Sequence, residues 1–387
     1  MAERDGLQKA DENDSYAPKL KNSQASVRQI FVATLIFSII ILAIFSSSLF
    51  DLDQSNELTA DQLGIKQTAT DVVPAASNPV INPVNDSRLG YQLLNEIPLN
   101  EQVQSITFSF DGTRVAVGLA NGTIIVWNLN NGGSIEQVWS GHTGVVTSLA
   151  FSHQSAAQLI SGSLDSSVRV WQLGFANELT ILTEHTSQVF GVAASPTDSL
   201  IVSVSSDGAI YTWNTESGQR VGNLAGHSSP ALSIAIDPTG QRAVSGYDDG
   251  KLLLWDLATS QLEREIIAHD GSVRAVEFFG DANQVVTGAV DGTVKLWNLG
   301  NSTGTETMAQ LQFNAEVNSI AVDPSGRFIA LATNTGLIQI WDQSTKAILP
   351  PLTNQTSPVQ AIAYSPDGRY LVSGNVDGVV SQWQVAQ

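Results

Sequence analysis

Short runs of alternating apolar and polar residues fill the chain from Arg88 to its C-terminus, each broken by Gly, Asp or Asn. "VTSLAFS" at 146–152, then a turn and "QLISGS" at 158–163, is one such pair. Alternation at a period of two predicts strands with one buried face, and the punctuation predicts tight hairpins between them. The same parts then recur in order: an Asp or Asp-Gly turn, a strand ending in tryptophan ("SVRVWQL", "AIYTWNT", "KLLLWDL", "TVKLWNL"), a polar loop and a fourth short strand. Seven of the eight tryptophans mark the repeat: Trp127, Trp171, Trp213, Trp255, Trp297, Trp341 and Trp383, separated by 44, 42, 42, 42, 44 and 42 residues. A fixed period of this size is the sign of a repeat architecture. Four short antiparallel strands per unit, seven times over, predict an all-β fold: a seven-bladed β-propeller. The last unit ends one strand short, and "LGYQLLNEIPL" (89–99) stands before the first unit as "GQRVGNLAGH" stands before the fourth. This N-terminal strand is expected to pair with the last blade and remove its open edge.

Upstream the pattern changes. Ile30 to Phe50, "IFVATLIFSIIILAIFSSSLF", holds 21 residues without a charge. As a helix it reaches roughly 31 Å, about the thickness of a bilayer's hydrocarbon core. A retained signal anchor and a cleaved secretory signal both use such a run. The long leader with its acids (Glu3, Asp5, Asp11, Glu12, Asp14) and the lack of an Ala-x-Ala pair favour the anchor, although the Ser46–Ser48 cluster is a weaker cleavage signal. Lys19, Lys21 and Arg28 precede the span and Asp51, Asp53, Glu57 and Asp61 follow it, which predicts a cytoplasmic N-terminus and an extracytoplasmic propeller. The expected organisation is a cytoplasmic polar leader (1–29), a transmembrane signal anchor (30–50), a flexible tether (51–87) and the propeller (88–387).

Charge narrows the partners. The chain carries 18 basic and 37 acidic side chains, a net charge of −19. From Arg88 onward there are 12 and 26, a net of −14. A field of that sign repels a phosphate backbone, so nucleic acid is not an expected partner. There is no cysteine, which removes disulfides, thiol nucleophiles and cysteine-based zinc sites together. No Gly-rich phosphate loop, His-Glu-x-x-His or EF-hand spacing occurs, so the sequence implies neither a cofactor nor a metal.

Gly141-His142 and Gly226-His227, the Trp-Asp pairs at Trp255-Asp256 and Trp341-Asp342, and the Asp-Gly turns carry a family likeness. On these residues the chain resembles the WD-repeat family over about 300 residues, from Arg88 to the C-terminus. The resemblance implies that a His, a Ser or Thr, an Asp and a Trp in each unit form a hydrogen-bonded tetrad pinning the blade's loops to its strands. Four units carry the full set: His142/Ser161/Asp165/Trp171, His185/Ser203/Asp207/Trp213, His227/Ser245/Asp249/Trp255 and His269/Thr287/Asp291/Trp297. A lone histidine, serine and aspartate this close would suggest a hydrolase triad. A triad is needed once, whereas this set recurs at the structural period with a tryptophan attached each time. The reading that follows is structural: a buried Asp needs donors, and imidazole and indole N–H groups supply them. Units one, six and seven depart from the pattern, with Leu99, Phe313 and Gln355 in the histidine slot, and Asn121 and Thr335 replace the turn aspartate in the first and sixth. These blades adjoin around the closure and are expected to be the loosest part of the ring.

The resemblance also implies that the face carrying the histidine loops and Asp turns is the binding platform. Five residues past each histidine slot stand Gln104, Thr147, Phe190, Leu232, Arg274, Asn318 and Gln360. Just before the turn aspartates stand Leu164 and Val290, among others. Phe190, Leu232, Leu164 and Val290 are expected to cluster on neighbouring blades with Arg274 beside them, a patch suited to a protein or peptide partner. The competing reading is that these side chains lean into the channel mouth and pack there. The expected function is a non-enzymatic interaction scaffold presented at a membrane surface. The alternative, a propeller hydrolase or lyase working in the central channel, calls for convergent carboxylates or a bound metal there.

Overall fold

The structure, a computed structural model, describes residues 90–131, 133–225, 227–300, 306–352, 355 and 357–385. The expected leader, the Ile30–Phe50 span and the tether lie outside the described residues. Among the described residues no helix is long and apolar enough to cross a membrane.

Seven four-stranded antiparallel sheets account for nearly all of the described chain. In blades 1 to 6 the strands follow chain order from the axis outward, as in Val103–Phe108, Arg114–Leu119, Ile124–Asn128 and Ser134–Trp139 of blade 1. Blade 7 is assembled from both ends of the propeller. Its inner strands are Val359–Tyr364, Tyr370–Asn375 and Val379–Val385, and Tyr91–Pro98 adds the outermost one. Tyr91 stands opposite Val385 and Pro98 opposite Val379. Seven antiparallel residue pairs along this eight-residue strand thus close the ring where a sheet edge would otherwise stay open.

The core lies between blades, not within them. Each of the seven apolar clusters joins two neighbouring sheets: Ala116, Ile124, Val126 and Trp139 of blade 1 pack with Val146, Leu149, Phe151, Leu159 and Trp171 of blade 2. This explains why the second strands are buried on both faces, as in Gln158–Ser163, while outer strands such as Gln219–Leu224 stay largely exposed. The ring is therefore held by nearest-neighbour burial, as in other repeat proteins. Close approach has a local requirement at the closure: a Cβ at Gly374 would come 2.1 Å from the Val103 side chain of blade 1.

Every innermost strand carries a bulge at one position. The pairing shifts between Val103 and Ser105, Val146 and Ser148, Val189 and Gly191, Ala231 and Ser233, Val273 and Ala275, Val317 and Ser319, and Val359 and Ala361. The seven skipped residues are those five past each histidine slot. A bulge leaves one residue unpaired and redirects its side chain. Here it turns all seven toward the mouth of the central channel.

Candidate functional site

Three of the four complete sets bring their members together around a buried hydroxyl. In blade 2 the Trp171 indole N–H donates to Ser161 Oγ at 2.7 Å, His142 Nε2 lies 2.6 Å from the same oxygen, and His142 Nδ1 lies 2.8 Å from Asp165. With Nδ1–H donated to the carboxylate, Nε2 is left to accept the serine proton, giving one directed chain from indole to aspartate. Blade 3 repeats it at 2.8 Å (Trp213 to Ser203), 2.8 Å (His185 to Ser203) and 3.4 Å (His185 to Asp207). In blade 5 Trp297 and His269 meet Thr287 at 2.8 and 2.6 Å, but the link to Asp291 passes through Thr293, whose Oγ1 lies 2.5 Å from His269 Nδ1 and donates to Asp291 at 2.6 Å. The aspartates also cap the loops: Asp165, Asp207 and Asp291 accept the backbone N–H of Thr143, Thr186 and Asp270 respectively.

The His227 set is connected differently. Trp255 still donates to Ser245 at 2.8 Å, but His227 reaches Asp249 through Nε2, at 2.8 Å, and makes no bond to the serine. Tyr247 is the reason. Its buried ring stands edge-on to His227, centroids 4.6 Å apart, and its phenol takes the Ser245 hydroxyl. The equivalent positions in blades 2, 3 and 5 hold Ser163, Ser205 and Ala289, so a bulky residue two past the hydroxyl was the available signal.

Burial and pairing set the charges. Burial alone raises the carboxyl pKa of Asp165, but hydrogen bonds from His142, Ser167 and the Thr143 N–H hold it well below the usual range. Asp207 and Asp291 are lowered by the same kind of contest, mainly through turn and loop hydrogen bonds. Burial pushes His269 down to about 4 and lowers His185, against the pull of Asp291 and Asp207. These are neutral imidazoles at physiological pH. The distances resemble those of a hydrolase triad, but Ser161, Ser203 and Thr287 are fully buried, already engaged by indole N–H groups, and line none of the described cavities.

Blades 1, 6 and 7 lose more than their histidines. Ten residues before Trp127 and Trp341 stand Val117 and Leu331 in place of a hydroxyl. The indole nitrogens of Trp127, Trp341 and Trp383 are buried without a hydrogen-bond partner, as is Ser373 Oγ. In blade 7 Gln355 turns away from the tryptophan, donating to Ser381 at 2.7 Å and accepting from Asn375 at 3.0 Å.

On the histidine-loop face the seven bulged residues converge on a channel mouth of about 210 Å³. Phe190, Leu232 and Arg274 meet there, the first two half-buried and the third exposed. Thr147 donates to Val189 O at 2.7 Å and Asn318 to Val359 O at 3.0 Å, so part of the ring also ties neighbouring blades together. Val290 lies apart, in a crevice of about 460 Å³ between blades 5 and 6, and Leu164 lines neither space. The expected apolar patch is thus smaller than the sequence suggested: two apolar side chains and an arginine inside a polar rim. Among the described residues no group of three or more His, Cys, Asp or Glu is placed to hold a metal.

Seven four-stranded blades around one channel, with tryptophans at a fixed period, define a seven-bladed β-propeller. Comparison with known families agrees: the "WD domain, G-beta repeat" model matches residues 218–256, 260–298, 307–342 and 348–384, and the "Vps8 beta-propeller" model matches 96–206. These matches support the WD-repeat family for this chain. Human WD repeat and SOCS box-containing protein 1 is 32% identical over 104 residues, covering 27% of this chain and 24% of that protein. The Takifugu rubripes protein of the same name is 31% identical over the same length, and rat Coronin-7 is 36% identical over 93 residues, 22% of this chain and 10% of the relative. The chain therefore spans a quarter or less of these curated relatives. A WD40 propeller is consistent with a non-enzymatic protein-interaction scaffold.

Proposed function

We propose that this protein is a non-enzymatic scaffold that binds a protein or peptide partner at the histidine-loop mouth of its propeller, held at a membrane surface by Ile30–Phe50. The observation that carries the reading is the ring of seven bulges. It redirects one side chain per blade into a single mouth and places Phe190, Leu232 and Arg274 side by side. An apolar pair beside an arginine within a polar rim is the composition expected of an anchoring spot. The acidity of the chain favours partners that are not nucleic acids. The bases before the apolar run and the acids after it favour an extracytoplasmic propeller.

Affinity capture from native membranes tests the binding face. The full-length protein is compared with a Phe190→Asp/Leu232→Asp double variant whose folding is checked by circular dichroism. A partner retained by the wild type and lost by the variant supports the reading, and identical partners on both move the site elsewhere. Protease treatment of sealed membranes tests the orientation: a propeller digested only from the extracytoplasmic side is expected, and digestion from the cytoplasmic side reverses it.

A further inference from the structure

The opposite mouth of the channel has a different chemistry, independent of the binding face above. The innermost strands all run from the histidine loops toward this end, where a second cavity of about 600 Å³ opens, within the size range of small-molecule sites. Its lining residues include Phe110, which is exposed, the core aromatics Phe108, Phe151 and Tyr364, His153 and one acidic residue, Glu277. Glu277 breaks a pattern. Three residues past the bulged residue its strand carries Glu, while the other six blades carry Thr107, Ala150, Ala193, Ala235, Ala321 and Ala363. Six small residues and one carboxyl leave space in front of that carboxyl.

Among the described residues Glu277 has no counter-charge. Its Oε2 accepts the Val322 backbone N–H at 3.1 Å, and no lysine or arginine lines the cavity. His153 does not serve, since burial lowers its basicity and its ring is stacked on Phe110, centroids 6.0 Å apart. The other titratable groups nearby add no positive charge. Tyr364 has its hydroxyl 2.6 Å from that of Tyr91, burial holds its pKa up, and Asp323 adds further negative field. A half-buried carboxylate in a cavity lined by aromatic residues is matched by a cation, which pairs with the charge and is attracted by ring quadrupoles.

We propose that this cavity binds a small organic cation, a primary ammonium on an apolar stem, with Glu277 as its counter-ion and the aromatic wall around the stem. Burial pushes the empty Glu277 up to about 8, so near neutral pH a bound ammonium displaces the carboxyl proton to solvent. Binding and proton release are then one event, and affinity rises with pH up to about 8.

The test is calorimetric titration of the full-length protein with n-pentylamine and, as a neutral isostere, 1-pentanol, at pH 7 in phosphate and in Tris. The expected result is that pentylamine binds at least tenfold more tightly than pentanol and that the buffer dependence reports about one proton released. Glu277→Gln should lower pentylamine affinity at least tenfold and leave pentanol unchanged. Phe110→Ala removes a partly exposed ring the core does not need, and should weaken the amine severalfold. Equal binding of amine and alcohol, absence of binding by either, absence of proton release, or a Glu277→Gln protein that binds pentylamine like the wild type overturns the proposal.

Discussion

Blades 3 and 7 bury the same tryptophan in the same place and treat its indole N–H in opposite ways. Trp213 and Trp383 are both almost wholly enclosed, each packed against the preceding blade, and each has a serine ten residues earlier. In blade 3 Ser203 takes the indole proton and meets His185. In blade 7 Ser373 is fully buried and bonds to neither the indole nor a histidine, because Gln355 has moved to Ser381 and Asn375. The hydroxyl alone is not enough; a second partner, the His185 imidazole in blade 3 or the Tyr247 phenol in blade 4, holds it where the indole can reach it. Burial of the ring fixes the blade, and the tetrad adds polar satisfaction and ties down the loop.

That difference can be broken from either side. The largest effect is expected for Ser203→Ala, which leaves an indole donor and an imidazole acceptor buried and unpaired, a loss of about 2–4 kcal/mol. Ser373→Ala removes a hydroxyl without a partner and should stay within about 0.5 kcal/mol of the wild type. Chemical denaturation of the two variants checks the pair, and equal losses would show that the unsatisfied indoles are not a real distinction between blades.

Titration separates the pinned histidines from the carboxyl at the other end of the channel. His185 and His269 keep folded pKa values below 6.5, that of His269 at about 4, so between those values the unfolded chain binds protons that the folded chain refuses. Stability must then fall as pH drops from about 6.5 toward 4, and Asp207 and Asp291, held below 3.8, extend the loss further. For His269 the effect is on the order of 3 kcal/mol over the whole window. Glu277 works in the other direction. Raised to about 8, it contributes stability below 4.5 that is lost as pH climbs through 8. Unfolding free energies between pH 4 and 9 should therefore show a maximum, and Glu277→Gln should flatten the alkaline limb and steepen the acid limb where the two windows overlap, between about 4.5 and 6.5.

Hydrogen exchange gives a smaller, local reading. Amides of blades 1, 6 and 7 are expected to exchange at least tenfold faster than those of blades 2 to 5, about 1.4 kcal/mol in opening free energy. Blade 6 should lead, since its outermost strand is only Ala347–Ile348. Equal protection all round the ring would remove the idea that the closure region is loose. A small gain is expected within blade 2, where Ser166 holds the left-handed turn position (φ 68°) that Gly208, Gly250 and Gly292 hold in blades 3, 4 and 5. Ser166→Gly should stabilise by about 1 kcal/mol in thermal unfolding.

The architecture was legible because it is repeated. A tryptophan every 42 to 44 residues and strand-length alternation fix seven blades, and the displaced strand at 89–99 announced the closure that Tyr91–Pro98 makes. The missing hydroxyls at Val117 and Leu331 were present in the same count, ten residues before their tryptophans, as was Tyr247 at a slot held elsewhere by small residues. What could not be read was direction. Phe190, Leu232 and Arg274 meet because a bulge turns each of them inward, while Leu164 and Val290, apolar positions of the same face, point to different surroundings.

The sequence by itself determined the period, the blade count, the polar pins and the one acidic residue among six small ones, since each is a local pattern that survives in a linear string. Only the tertiary structure decided which of these residues share a space. Glu277 and Phe110 are 167 positions apart and line one cavity because seven strands lean on a common axis. Whether a carboxyl is solvated or enclosed depends on neighbours supplied by other blades, and no single repeat contains them.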